Sequence, residues 1–195
     1  MPLPRSRSLP TSLLVLVFFA GAVAVAFAQW VRPALDAERA FDAGDPVAAL
    51  NGYAAAEHRF ARFAVTRELA TTEHARAVAN QLHLLYAAGR YDEVVEKASA
   101  APSGAAPHFW AGTALLTRAL SEPSGEARLV WASRAEEELK LALQAAPDDW
   151  DTKVNYELAA RWTAELRADP RKKAAPSMQI LRPQPRQPLP TRKSG

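Results

Sequence analysis

Cysteine is absent from this 195-residue chain. That rules out disulfides, thiolate chemistry and a lipoprotein anchor, which is attached through a cysteine. Histidine is scarce: His58, His74, His83 and His108 never stand three or four residues apart. No helix face therefore carries a histidine metal pair. His83 lies inside an apolar helical stretch and reads as a packed or exposed side chain rather than a catalytic one. No stretch sustains a two-residue alternation with β-branched residues, so no sheet is expected. The H-E-x-x-H, phosphate-loop, nucleophile-elbow and EF-hand patterns are missing as well. Asp148, Asp149 and Asp151 form the densest carboxylate group. They read as a helix cap rather than a cation site. The expectation is a non-catalytic protein with no cofactor and no metal.

Charge is unevenly spread. Residues 170–195 carry seven Lys/Arg and no acid, and residues 1–30 carry only Arg5 and Arg7. Between 31 and 169 stand 15 basic and 21 acidic residues, a net of −6. The body is acidic and both ends are basic, so the sequence pI of 9.4 is no argument for nucleic-acid binding. Six of the last 26 residues are proline. A segment this polar buries too little surface to offset its ordering entropy, so 169–195 is expected to be a disordered basic tail. Within it, only Met178-Gln179-Ile180-Leu181 has the character of a docking element.

Charge is also missing from residues 13–28, LLVLVFFAGAVAVAFA. Two readings fit. Arg5 and Arg7, the apolar run and Ala26-Phe27-Ala28 together make a signal peptide cleaved after Ala28. Extended from Thr11 to Val31, the same run reaches the length of a membrane-crossing helix, with Trp30 at the interface. On either reading residues 1–11 are a cytoplasmic basic N-terminus and 12–31 are anchor or signal. The remainder is exported, to face the periplasm from the inner membrane or to be secreted into the periplasm.

What the chain has in abundance is helical punctuation. Gly44, Ala49, Tyr53 and Ala56 are echoed 45 residues later by Gly89, Val94, Ala98 and Ala101. A glycine between two helical patterns, followed by small residues at such intervals, predicts a tight helical hairpin. Repetition of the device predicts an array of hairpins, an architecture that mostly binds other proteins. Pro33 is expected to open the first soluble helix, with Leu35, Ala37, Ala40 and Phe41 on its apolar face. A second helix starts at Pro46 and turns Val47, Leu50, Tyr53 and Ala54 inward. Phe60, Phe63, Val65 and Leu69 suggest a continuation or a linking helix. Further helices are expected at about 75–88, 92–101, 107–120, 126–145 and 150–168. Their stripes are Val78, Leu82, Leu85 and Tyr86, then Phe109, Trp110, Leu115, Leu116 and Leu120. Next come Leu129, Val130, Ala135, Leu139, Ala142 and Leu143, and last Trp150, Val154, Leu158, Trp162 and Leu166. Glu136 and Glu137 are placed to pair with Lys140 on an outer face.

The segment Ala142 to Ala159, ALQAAPDDWDTKVNYELA, resembles the junction between two tetratricopeptide repeats. Ala135, Leu139, Ala142 and Pro147 take the return-helix positions, and Trp150, Asn155 and Tyr156 look like the start of the next repeat. Asn80, nine residues before Gly89, matches the same Asn position, and GRYDEVVEKASAA at 89–101 looks like a turn and second helix. The combination of one N-terminal membrane segment, a small helical repeat domain and the PDDWDTKVNYELA ending is similar to the MxaK family. Those proteins are accessory to periplasmic methanol dehydrogenase. The resemblance implies an assembly or maturation role, with metal loading of the dehydrogenase as one stage. Its implied partners are von Willebrand A-domain proteins, a MoxR-type ATPase or the dehydrogenase itself. It also implies that Asn80 and Asn155 can hydrogen-bond an extended peptide; the competing reading makes each a bridge between adjacent helices.

The expected fold is therefore all-α: tandem antiparallel helical hairpins of tetratricopeptide type over 33–168, after an N-terminal transmembrane helix. The expected function is a protein-interaction scaffold for a periplasmic or membrane-associated complex. Candidate partner-binding residues are Asn80, Asn155, Tyr156, Arg128 and Arg134, the last two flanking Trp131. The alternative is a membrane-anchored structural or regulatory protein whose basic tail binds anionic lipid or polymer.

Overall fold

The structure, a computed structural model, describes residues 11–62, 71–169, 171 and 180. Among them are seven helices and no strand. They are α1 (Thr11–Asp42), α2 (Pro46–Ala61), α3 (Thr71–Ala87), α4 (Tyr91–Ser99), α5 (Ala105–Ser121), α6 (Gly125–Ala145) and α7 (Trp150–Ala168). Phe63, Val65 and Leu69 lie outside the described residues, as does most of the expected tail.

The expected helix start at Pro33 is corrected. α1 runs unbroken for 32 residues with Pro33 inside it. A proline within a helix has no N–H for the carbonyl four residues back, here that of Gln29. Another donor takes that place: Arg59 Nη1 of α2 donates to the Gln29 carbonyl at 3.0 Å. The apolar part of α1 and the first soluble helix are thus one element. Its stretch from Leu13 to Phe27 is exposed on every side. From Trp30 onward it packs on α2, with the Trp30 and Phe60 rings edge to face at 4.9 Å.

Gly44 and Gly89 end their helices in the same way. Both adopt positive φ, 75° and 74°, which a side chain with a Cβ resists. Gly44 N–H donates to Phe41 and Asp45 N–H to Ala40. Gly89 N–H donates to Tyr86 and Arg90 N–H to Leu85. This double bond is the Schellman cap, which satisfies carbonyls the helix end would leave orphaned. The echo in the sequence is therefore an echo in backbone geometry. Asp45, Ser124 and Asp149 then cap the N-termini of α2, α6 and α7 through their side chains.

Consecutive helices pack on one another, and α5 also meets α3 and α7. Contacts fix the directions of several pairs. Gln29, Trp30 and Ala37 of α1 meet Arg59, Phe60 and Gly52 of α2, so the two run antiparallel. Phe60 lies near His74 and Glu57 bonds Gln81, so α2 and α3 run antiparallel too. Gly112 and Arg118 of α5 face Leu139 and Trp131 of α6, the same relation again. At Gly52 a Cβ would stand 2.7 Å from that of Ala37. The α1–α2 crossing leaves no room for a Cβ at that position, so glycine fits there without a shift of its neighbour.

Two hydrophobic clusters result. The smaller is built from Ala37, Ala49, Tyr53, Ala56, Phe60, Ala77 and Leu84. The larger spans α3 to α7 around Leu82, Leu115, Leu116, Leu139, Trp162 and Leu166. Among the described residues, only α3 supplies buried residues to both. Ile180 packs against the larger cluster; Met178, Gln179 and Leu181 lie outside the described residues.

Six side chains expected inside are exposed: Leu35, Val47, Ala54, Leu120, Val130 and Trp150. On α2 the buried stripe is Ala49, Tyr53, Ala56 and Phe60, so Val47 and Ala54 fall on the opposite face. On α6 the stripe is Ala132, Ala135, Leu139 and Ala142, and Val130 lies off it. On α7 a step of four residues overshoots a helical turn by about 40°. Over three steps back from Trp162, that drift carries Trp150 out of the contact. Glu136 pairs with Arg167 of α7 at 3.7 Å rather than along its own helix.

Candidate partner-binding surface

The five residues singled out in the sequence do not converge on one face. Asn80 is half-buried on α3, and its side chain hydrogen-bonds the Tyr53 hydroxyl of α2. Burial pushes that phenol above its ordinary pKa, and the Asn80 bond draws it part of the way back. Asn155 is fully buried on α7. Its Nδ2 donates to Thr113 Oγ1 of α5 at 3.4 Å, while Thr113 in turn donates to the Phe109 carbonyl at 2.8 Å. Thr117, one turn on, donates to the Thr113 carbonyl at 2.9 Å and meets the Tyr86 hydroxyl at 2.8 Å. Both asparagines thus bridge adjacent helices, and Asn155 belongs to a polar line joining α3, α5 and α7. In this conformation Asn155 presents no surface to a partner. Tyr156 is half-buried against the larger cluster.

Arg128 is buried, and its guanidinium closes the C-terminal end of α5. It donates to the Glu122 carbonyl through Nε at 3.1 Å and Nη2 at 2.6 Å. A cation at this end also opposes the negative pole of the helix dipole. Its position in the sequence, beside a loop and near a tryptophan, looks like a surface patch; only the fold shows it turned inward on a helix end.

Arg134 is exposed, and it has company that the sequence did not reveal. Its guanidinium carbon lies 5.5 Å from the Trp131 ring centroid. That of Arg118, from α5, lies 4.5 Å from the same ring. Arg118 also pairs with Asp92 of α4. Arg118 was missed because it is thirteen residues from Trp131 in sequence. The signal was present all the same: Arg118 stands near the end of one helix and Trp131 near the start of its antiparallel neighbour.

Along α6, Val130, Arg134, Glu137 and Leu141 are all exposed and spaced i, i+4, i+7, i+11. They form one outward stripe, with Trp131 at its edge. Cations over an aromatic face hold the ring in place by electrostatic attraction. The outcome is a surface of two guanidiniums, one carboxylate, a tryptophan and two aliphatic side chains. Tryptophan and arginine are the residues that most often anchor protein interfaces.

Elsewhere, the Asp149 carboxylate accepts from the Thr152 N–H at 3.0 Å and from the Thr152 hydroxyl, which is the cap expected of it. No group of three or more metal-ligating side chains occurs among the described residues. His108 meets Glu138 at 2.7 Å between α5 and α6. No family model matches the chain, and no curated protein or solved structure does either.

Proposed function

We propose that this chain is a membrane-anchored, non-catalytic scaffold of the tetratricopeptide-like class that recruits a protein partner for assembly or maturation of a larger complex. The observation that carries this reading is the outward stripe of α6 with its Arg118–Trp131–Arg134 cluster. Two further features support it. α1 is long and apolar enough to cross a bilayer, with a mean hydropathy of 2.3 over its most apolar 18 residues. Arg5 and Arg7 before it favour a cytoplasmic N-terminus, with the helical body in the periplasm. The partner that fits the stripe offers carboxylates to the guanidiniums and an apolar side chain to Trp131, Val130 and Leu141. The likeness of 142–159 to MxaK proteins makes methanol dehydrogenase, its A-domain companions and a MoxR-type ATPase the first complexes to test.

The test is affinity purification of the C-terminally tagged full chain from detergent-solubilised membranes, alongside Trp131→Ala and Arg134→Glu. Co-purification of such a complex with the natural chain, and its loss with both variants, is the expected result. A partner retained by both variants moves the binding surface elsewhere. No specific partner at all removes the scaffold reading.

A further inference from the structure

The charge-free part of α1 extends from its first residue, Thr11, to Val31, and Arg32 is the first charge. At about 1.5 Å per residue this is about 31 Å, close to the hydrocarbon thickness of a bilayer. The freely exposed apolar portion stops sooner, because Gln29 and Trp30 are already engaged by Arg59 and Phe60 of α2. A helix that uses its full charge-free length to cross the membrane must draw these contacts down to the bilayer surface. α1 continues through this level without a break, so the body cannot swing clear of it on a linker.

α2 runs antiparallel to α1, and its last turn therefore lies at that same level. It presents His58, Arg59, Ala61 and Arg62, all exposed. Arg59 spends one N–H on the Gln29 carbonyl and Arg62 is also engaged within the protein, but a guanidinium carries five N–H donors. Arg32 of α1 pairs with Asp36 one turn farther from the membrane, at 3.7 Å. Glu57, the nearest acid on α2, is turned to Lys97 and Gln81 at 2.6 and 2.9 Å. The end of α2 is thus basic, with an aromatic pair beneath it. This is the composition that suits the polar zone of a bilayer.

We propose that the last turn of α2, with Trp30, is a lipid-contact surface whose arginines bind the phosphates of phospholipid headgroups around α1. The inference rests on the reading of α1 as a membrane-crossing helix. It adds that the body is seated on the bilayer in a fixed orientation and is not suspended above it. Guanidinium suits phosphate because its donors engage two oxygens at once.

The chain has no cysteine, so single labels can be placed cleanly. Full-length Gly21→Cys, Ala61→Cys and Ala87→Cys, each spin-labelled and reconstituted in phospholipid nanodiscs, report depth through collisions with oxygen and a water-soluble nickel complex. The expected result is Gly21→Cys at the bilayer centre, Ala61→Cys at the depth of the phosphates and Ala87→Cys in water. Adding Arg62→Glu to Ala61→Cys sets a carboxylate against the phosphates and is expected to move the label outward. Ala61→Cys in bulk water with Gly21→Cys still central overturns this inference and leaves the membrane-crossing reading intact. Gly21→Cys in water overturns the membrane-crossing reading, and this inference with it. An unchanged depth with Arg62→Glu overturns the phosphate contact.

Discussion

Pro33 and Arg59 act on the same atom. Pro33 withholds the backbone N–H that would reach the Gln29 carbonyl, and Arg59 supplies a side-chain N–H in its place at 3.0 Å. The two residues lie on different helices. Their joint effect is to pin α1 to α2 where its apolar stretch gives way to the packed body.

The pairing predicts non-additivity. Arg59→Met leaves the Gln29 carbonyl without its donor and is expected to destabilise the fold by about 1 kcal/mol. In a Pro33→Ala background the backbone N–H returns, and the same Arg59→Met change is expected to cost appreciably less. Urea unfolding of the four chains in detergent measures the coupling. Equal costs in the two backgrounds would show that Arg59 does not serve that carbonyl.

Gly52 predicts a steric effect. A Cβ there would meet the Cβ of Ala37 at 2.7 Å and its Cα at 3.1 Å. Gly52→Val is expected to force α1 and α2 apart and to cost about 1–3 kcal/mol. Ala37→Gly should recover part of that loss, because it removes the nearest atom. Thermal unfolding midpoints of the single and double variants decide this.

Arg128 and Arg134 are expected to separate stability from binding. Arg128→Met strips the Glu122 carbonyl of two charge-assisted bonds inside the protein, with an expected cost of about 1.5–3 kcal/mol. Arg134→Ala acts on an exposed side chain and should change stability by less than about 0.5 kcal/mol. Partner capture should show the reverse order of effect. Unfolding curves together with pull-downs of both variants provide the comparison.

His83 predicts a pH dependence. It lies between the Phe41 and Trp110 rings, at 5.9 and 5.2 Å, and its Nδ1 is buried with no hydrogen-bond partner among the described residues. Burial lowers its pKa. The unfolded chain, where the histidine titrates near its ordinary value of about 6.5, then takes up the proton more readily than the folded one. The His83 contribution is complete above that value and is lost as pH falls through it toward the folded pKa. The natural chain should therefore lose more stability between about pH 7.5 and about pH 5 than His83→Phe does. Urea midpoints at the two pH values, compared for both chains, measure it. Parallel losses would remove His83 as the cause.

Much of the fold was legible because local rules govern it. Glycine at the two Schellman turns, Asp149 before α7 and the Val78-Leu82-Leu85-Tyr86 stripe all act within a turn or two of themselves. The errors came where a distant residue decides. Pro33 reads as a helix start on local grounds, and the donor that serves the Gln29 carbonyl in its place, Arg59, is 26 residues away. Val130 stands between Leu129 and Trp131, and Trp150 opens a stripe that reaches Trp162; only the placement of the neighbouring helices decides that both face outward. The candidate surface divides the same way. Arg134 beside Trp131 is a local fact. The inward turn of Arg128 and the approach of Arg118 depend on how α5 and α6 pair.

The division of the core into two clusters has a mechanical side. α1 enters the smaller cluster, and among the described residues α3 alone supplies buried residues to both. A tension applied along α1, as from a membrane in motion or a complex under strain, is borne first by the α1–α2 contacts. Those contacts include one aromatic pair, one arginine and a tight glycine crossing. A load on α1 reaches the Arg118–Trp131–Arg134 surface of α5 and α6 only through α2 and α3.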